Sequence, residues 1–214
     1  MRQAISIFIF VLTVGLFGCN PSTDSNHKRI EKTLSIDDKS STKTQDEENK
    51  NKVDGLMDCA RGQAKPLIKK SDYPNTTFVL QPDSISAIET VYFENSDKLI
   101  IRNWGCEYYV LTFRFETSRL HRDTADLAFW FRAANNLMTN ILGGLDAPID
   151  IKKGLVRFDS YILRDSKNAY KNLRIGEEIE FGSEDIRSFV TLDRIENIED
   201  KKVAVTISFA TGPL

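Results

Sequence analysis

Histidine and cysteine are scarce in this chain, which has only 2 His and 3 Cys among its 214 residues. These side chains supply many of the metal ligands, nucleophiles and general bases of enzymes, so few catalytic arrangements are available. Phosphate loops of the G-x-x-x-x-G-K and G-x-G-x-x-G types are absent, and so is the G-x-S-x-G turn of serine hydrolases. We therefore expect no cofactor, no metal and no catalytic residue set of a recognisable kind.

A strong charge of one sign is also missing. The chain has 29 Lys and Arg residues against 31 Asp and Glu residues, which gives a formal net charge of −2. Such a balance provides no electrostatic basis for binding nucleic acid, and we expect no nucleic-acid partner. The overall composition is 41% hydrophobic and 28% charged. These proportions are those of an ordinary soluble domain and exclude a collagen-like, coiled-coil or polytopic membrane chain.

An uncharged apolar run stands near the N-terminus. One Arg, Arg2, precedes residues 5–17, whose sequence is ISIFIFVLTVGLF. A helix that spans a membrane needs about 20 apolar residues, so this run is too short for a span. A positive charge followed by a short apolar run is typical of a secretory signal peptide.

The end of this run, Leu16-Phe17-Gly18-Cys19, resembles the lipobox of bacterial lipoproteins. That motif has an aliphatic residue three positions before the cysteine and a small residue directly before it. The resemblance implies that residues 1–18 are removed as a signal peptide and that Cys19 carries a diacylglyceryl group on an acylated amino terminus. Two or more acyl chains anchor a protein stably to a membrane. The alternative is an ordinary secretory signal in which Cys19 is incidental.

The lipoprotein resemblance also implies a location. The mature chain would lie in the bacterial cell envelope, held at the membrane by the lipid on Cys19. Asn20 stands where an Asp favours retention in the inner membrane in families with a sorting rule. Because residue 20 is Asn and not Asp, the sequence leans toward the outer membrane in cells that have one.

Residues 20–52 are strongly hydrophilic. They contain seven basic and seven acidic residues, no aromatic residue and only three large aliphatic ones. A segment of this composition buries too little apolar area to offset its chain entropy, so we expect it to be disordered. We assign residues 19–52 to a lipidated cysteine and tether, and residues 53–214 to a single globular domain. The tether would have a reach of about 30 Å.

Two cysteines remain for the domain if Cys19 carries the lipid. An even pair in an oxidising compartment favours a disulfide, so we predict a bond between Cys59 and Cys106. Two free buried thiols or a two-cysteine metal site are the alternatives. A metal site would need further ligands, and His121 is the only histidine of the domain.

The pattern of apolar residues predicts an α+β fold with a mainly antiparallel sheet, packed by one principal helix over about residues 124–142. Asp123 or Thr124 is the expected N-cap of this helix, and Trp130 and Phe131 are expected in the core. Residues 149–173 fit either a helix or extended structure, since Gly154 weakens the helical pattern. Strands are expected at residues 77–81, 85–93, 98–102, 107–116, 178–181, 188–195 and 203–209.

The most unusual stretch is residues 103–109, with the sequence NWGCEYY. Trp and Tyr are favoured anchors at binding surfaces, and loops at sheet ends often carry binding residues. We therefore predict that Trp104 and Tyr108 contact a partner. The alternative places Trp104 and Tyr109 in the core, with Gly105 shaping a bend.

Two functions of different classes remain open from the sequence. In the first, the domain is non-catalytic and binds a protein or glycan partner in the envelope, an inhibitor or immunity protein being one specific version. In the second, the domain is a tethered hydrolase of cell-wall or glycan material. Such a hydrolase would need two carboxylates that face each other across a cleft.

Overall fold

A computed structural model describes residue 59 and residues 61–183, 186–198 and 201–212 of the chain. The predicted signal peptide, the predicted lipidation site Cys19 and the predicted tether lie outside the described residues. Residues 51–214 form one compact unit. Within the described ranges, neither helix has the length and hydropathy required for a membrane span.

The described residues form seven strands, namely β1 (Thr76–Leu80), β2 (Ala87–Tyr92), β3 (Lys98–Trp104), β4 (Tyr109–Thr117), β5 (Ile179–Glu180), β6 (Arg187–Asn197) and β7 (Val203–Gly212). They form one antiparallel sheet in the order β1-β2-β3-β4-β7-β6-β5. The first four make a meander along the chain, and the last strand, β7, then pairs with β4. The expected α+β class with an antiparallel sheet is confirmed.

Two helices of similar length join β4 to β5. The first, α1 (Leu127–Ile141), has 15 residues, and the second, α2 (Ile151–Ser166), has 16. The prediction of one principal helix is therefore not confirmed, because the segment that fitted two interpretations contains a full second helix. Asp150 caps α2 by accepting a hydrogen bond from the Lys153 N–H at 2.9 Å.

The predicted start of α1 is too early by a few residues. Asp126, rather than Asp123 or Thr124, is its N-cap and accepts a hydrogen bond from the Phe129 N–H at 3.1 Å. The Asp123 carboxylate instead accepts the Ala125 N–H at 2.9 Å, in the turn before the helix. Short acidic side chains compete with the helical backbone in this way, so several of them near a helix start leave the capping residue ambiguous.

Both helices pack on one face of the sheet and form a single core with it. Trp130 and Phe131 of α1 are 0% and 1% exposed, as expected, and the Phe131 ring stacks on that of Phe158 in α2 at 5.3 Å. The sheet contributes residues that alternate along its strands, among them Leu99, Ile101, Leu111, Phe113, Phe115, Val190, Leu192, Val205, Ile207 and Phe209. The side chains between these residues point to the opposite face of the sheet, which we call the helix-free face.

Residues before β1 cover another part of the core face. Glu89, which is only 3% exposed, accepts hydrogen bonds from the backbone N–H groups of Leu67 at 2.8 Å and Ile68 at 3.2 Å. Burial raises the pKa of Glu89, although both hydrogen bonds oppose the shift. This carboxyl group therefore holds the chain before β1 against the sheet.

Candidate partner-binding surface

The two predicted binding residues lie at one end of the sheet and are exposed. Trp104 is the last residue of β3 and is 46% exposed, while Tyr108, just before β4, is 39% exposed. Tyr109, the next residue, is only 5% exposed and belongs to the core. The alternative in which both Trp104 and Tyr109 are core residues is therefore wrong for Trp104 and right for Tyr109.

Strand register places Trp104 at the start of an apolar row across four strands. Trp104 on β3 pairs with Val110 on β4, which pairs with Ala210 on β7, and Ala210 pairs with Phe189 on β6. Directly opposite side chains of an antiparallel sheet point to the same face. All four side chains therefore lie on the helix-free face. Trp104 and Phe189, at the two ends of this row, are 85 residues apart in the sequence.

Tyr108 extends this row toward the end of the sheet. Its ring centroid lies 6.3 Å from that of Phe189, and the ring covers Gly212 of β7. A Cβ atom at Gly212 would lie 2.5 Å from the Tyr108 ring, so only glycine allows this close packing. We call Trp104, Tyr108, Val110 and Phe189 the aromatic end of the helix-free face.

A disulfide holds the loop that connects Trp104 to Tyr108. The predicted bond between Cys59 and Cys106 is present, with the two Cα atoms 5.6 Å apart. Gly105 has a φ of +91°, and a Cβ at this position would lie 1.8 Å from the Tyr108 carbonyl oxygen. The turn therefore requires glycine.

Arg61 reinforces the same end of the sheet from the core side. Its guanidinium donates a hydrogen bond to the Asn103 side-chain oxygen at 2.7 Å and another to the Ile85 carbonyl. The guanidinium also lies over the Tyr109 ring, 4.4 Å from its centroid. Burial raises the pKa of Tyr109 to about 12, and the nearby Arg61 opposes this shift. The phenol therefore stays neutral at physiological pH.

The opposite end of the helix-free face is charged. Lys98 pairs with Glu116 at 3.0 Å, Arg114 with Glu116 at 3.0 Å, and Arg194 with Glu196 at 3.1 Å. Burial alone would raise the pKa of Glu116, but hydrogen bonds and charges from Lys98 and Arg114 outweigh it and lower the pKa. Val110 and Glu116 are six residues apart on β4, so the aromatic and charged ends are separated by about 20 Å.

In the described part of the chain, the carboxyl groups with raised pKa values do not form a pair suited to acid–base hydrolysis. Two carboxyl groups there have raised pKa values, Glu89 and Asp193, and burial is the main cause for both. Asp193 lies beside the Ser208 hydroxyl, which is 3.0 Å from Thr112 on the helix-free face. Glu89 lies on the core face. The sheet therefore separates the two groups.

Two surface clefts of the described residues each have a single lining carboxylate. A cleft of about 520 Å³ beside α1 has Asp126 as its one lining carboxylate, and a cleft of about 550 Å³ beside α2 has Glu180. In the ranges that the structure describes, no three His, Cys, Asp or Glu side chains are grouped so as to bind a metal ion.

Sequence reasoning missed several residues that build this surface. Phe189 was expected in a strand, but only the sheet register shows that it shares a face with Trp104. Arg61 gave no signal, since a lone arginine before the sheet resembles any solvated residue. A pattern that alternates within each strand identifies faces but does not identify which strands are neighbours.

Comparisons with known proteins give no relative. No family model, curated protein or solved structure matches this chain. The functional interpretation therefore depends on the residues and their geometry.

Proposed function

We propose that this protein is a lipid-anchored lipoprotein of the bacterial envelope whose domain, residues 53–214, binds a protein or glycan partner without catalysing a reaction. The signal peptide would be residues 1–18, and Cys19 with residues 20–52 would form the anchor and tether. The single observation that carries the binding proposal is the aromatic end, where Trp104 and Tyr108 are both exposed at one end of the sheet, on either side of a loop that a disulfide holds.

The chemistry of the aromatic end supports binding. Trp and Tyr can bury a large area against a partner while losing few rotamers. The disulfide and the Gly105 turn already fix the loop between them, which reduces the entropy lost when a partner orders this surface. In the part of the chain that the structure describes, each of the two clefts named above has one lining carboxylate and not a pair, which favours a contact surface over a hydrolytic site. An inhibitor or immunity protein would use a surface of this kind.

The anchor leads to a prediction for Cys19. Cys19→Ala should abolish the lipidated form, because the thiol is the acceptor of the diacylglyceryl group implied by the lipobox. Metabolic labelling with a fatty-acid analogue, followed by recovery of the protein, measures this. Label on the Cys19→Ala chain equal to that on the original chain would show that the lipobox interpretation is wrong.

The aromatic end leads to a second prediction. Trp104→Ala and Tyr108→Ala should each weaken capture of the partner from envelope extract by about tenfold or more, the loss typical of a central aromatic anchor. The soluble chain, residues 20–214, is the bait, and captured proteins and glycans are quantified by mass spectrometry. Trp104→Ala should change the free energy of unfolding by only about 0.5 kcal/mol or less, because the side chain is half exposed.

Tyr92→Ala is the matched control. Tyr92 is 52% exposed and stands on β2, away from the aromatic row. It should leave capture of the same partner unchanged. If Tyr92→Ala weakens capture as much as Tyr108→Ala does, the aromatic end is not the binding surface.

A further inference from the structure

A second surface feature lies on the other side of the sheet, at the end opposite to the aromatic one. It is the cleft of about 520 Å³ between α1 and the chain that joins β4 to α1. Its volume falls within the range of small-molecule sites. Three arginines line it: Arg119 and Arg122 from the connection, and Arg132 from α1. We call this feature the arginine cleft.

Arg119 is fixed in place by a buried acid. Its Nε donates to the Asp97 carboxylate at 2.7 Å, and the Asp97 side chain is only 2% exposed. Asp97 also accepts a hydrogen bond from the Thr117 hydroxyl at 2.6 Å and from the Ser118 N–H at 3.0 Å. Because the pair uses Nε, the two terminal nitrogens of Arg119 remain for a ligand.

The other two arginines lie against aromatic rings instead of acids. Arg122 lies over the Phe129 ring at 5.6 Å, and Arg132 lies over the Tyr170 ring at 4.7 Å and donates to its hydroxyl. Within the part of the chain that the structure describes, neither guanidinium forms a salt bridge. Stacking on a ring orients a guanidinium without neutralising it.

The cleft therefore has an excess of positive charge. Its one lining carboxylate, Asp126, already accepts the Phe129 N–H as the N-cap of α1. Counting Asp97 as the partner of Arg119 still leaves three arginines against two acids. The N-terminal end of α1, with its partial positive charge, lies at the same place.

The walls of the cleft combine polar and apolar groups. Along α1, Ala133 and Leu137 supply buried or half-buried apolar surface, while Asn136 and Asn140 supply exposed amide groups. Leu120 adds apolar surface from the connection. A ligand that matches this lining has an apolar body that packs on α1 and an anionic group that accepts hydrogen bonds from the arginines.

We propose that the arginine cleft binds a small organic anion, with a carboxylate, phosphate or sulfonate group on an apolar or aromatic body. The anionic group is held by Arg122 and Arg132 beside the terminal nitrogens of Arg119. The site is separate from the aromatic end, since Thr117 in the cleft is the last residue of β4 and Val110 of the aromatic end is the second. Its existence does not depend on the identity of the partner bound there.

Titration with a matched pair of dyes tests the charge requirement. Anilinonaphthalene sulfonate has an aromatic body with one negative charge, and phenylnaphthylamine has a closely similar body without the charge. The soluble chain, residues 20–214, should bind the sulfonate saturably at one site and bind the uncharged dye at least about tenfold more weakly. Phenyl phosphate and benzoate, added as competitors, show whether phosphate or carboxylate is preferred. Equal binding of both dyes, or no saturable binding of the sulfonate, would overturn the proposal.

Variants locate the binding. Arg122→Gln with Arg132→Gln should weaken binding of the sulfonate by about tenfold or more, because two charge-assisted contacts are lost. The matched control is Arg102→Gln with Arg164→Gln, which removes the same charge from exposed arginines outside the cleft. It should change the affinity less than about twofold, since these charges are screened by solvent.

A steric variant completes the test without a charge change. Asn136→Phe places a larger side chain in the cleft from an exposed position on α1. It should weaken binding of the sulfonate dye by about as much as the arginine variants do. An equal loss of affinity in the control pair would overturn the proposal. So would a loss caused by Trp104→Ala while the two cleft variants bind normally, because that result would place the dye at the aromatic end.

Discussion

Trp130→Ala is expected to lower the free energy of unfolding by about 3–5 kcal/mol. The Trp130 side chain is 0% exposed and belongs to the core between α1 and the sheet. Its indole N–H donates to the Asp123 carbonyl at 2.8 Å, and its ring meets that of Phe129 edge to face at 5.0 Å. Truncation would leave a large cavity and remove the indole hydrogen bond, and both changes destabilise the folded state. The Asp123 carbonyl would still accept the Asp126 N–H at 3.0 Å, so the cavity accounts for most of the loss.

Trp104→Ala is the matched control for this prediction, because it removes the same side chain from the surface. The expected loss there is about 0.5 kcal/mol or less. Urea denaturation measures the free energy of unfolding of both variants. Unfolding is followed by circular dichroism and not by fluorescence, because each variant lacks one of the two tryptophans. Equal losses for the two variants would contradict the assignment of one tryptophan to the core and the other to the surface.

Much of the sheet could be predicted from alternation within single strands. In β4, the predicted inward set of Tyr109, Leu111, Phe113 and Phe115 is buried, because side chains of a strand alternate between two faces. The helical spacing that placed Trp130 and Phe131 in the core is a local pattern of the same kind. Patterns of this sort need no knowledge of the neighbouring elements.

The second helix could not be predicted because its weakest residue has a tertiary role. Gly154 lowers helix propensity, but it lies where α2 packs tightly against aromatic side chains on the sheet side. A Cβ atom there would be 2.8 Å from the Phe209 ring and 3.0 Å from the Phe181 ring. The reason for a glycine at this position appears only when α2 and β7 are brought together.

The two candidate surfaces could not be predicted in full from the sequence either, because each depends on which elements are neighbours in the fold. Trp104 and Tyr108 could be singled out from their composition, but β3 has aliphatic residues on both faces, Leu99 and Ile101 on one and Ile100 on the other. The strand alone therefore does not show which face the helices cover. No local sequence pattern predicts the arginine cleft. Its residues come from the β4–α1 connection and from one face of α1, and only the fold brings these two segments together.

The disulfide prediction concerns the stability of the whole domain. Cys59→Ser with Cys106→Ser is expected to lower the free energy of unfolding by about 2–4 kcal/mol. The bond joins cysteines 47 residues apart. Chain-entropy arguments for a loop of this length give about 4 kcal/mol, because the cross-link restricts the unfolded chain. Residual structure in the unfolded chain lowers this gain, so the expected loss lies at or below that figure.

Urea denaturation with and without a reducing agent measures this effect. The reduced chain and the double-serine variant should show the same loss, since both lack only the cross-link. The single variant Cys59→Ser is the control: it should lose as much as the double variant, because a bond needs both partners. Mass mapping that finds both thiols free, or equal stability with and without reductant, would contradict the prediction.

Loss of the bond should also act on binding at the aromatic end. Cys106 is in the loop between Trp104 and Tyr108. Without its partner, the loop keeps the Gly105 turn, the neighbouring strands and the packing of Tyr108 on Phe189, but it loses its covalent link to Cys59. Ordering this loop on binding then costs additional entropy, and capture of the partner should weaken under conditions where the domain is still folded. Unchanged capture by a folded double-serine variant would show that the strands alone fix Trp104 and Tyr108. The disulfide would then stabilise the domain without shaping its binding surface.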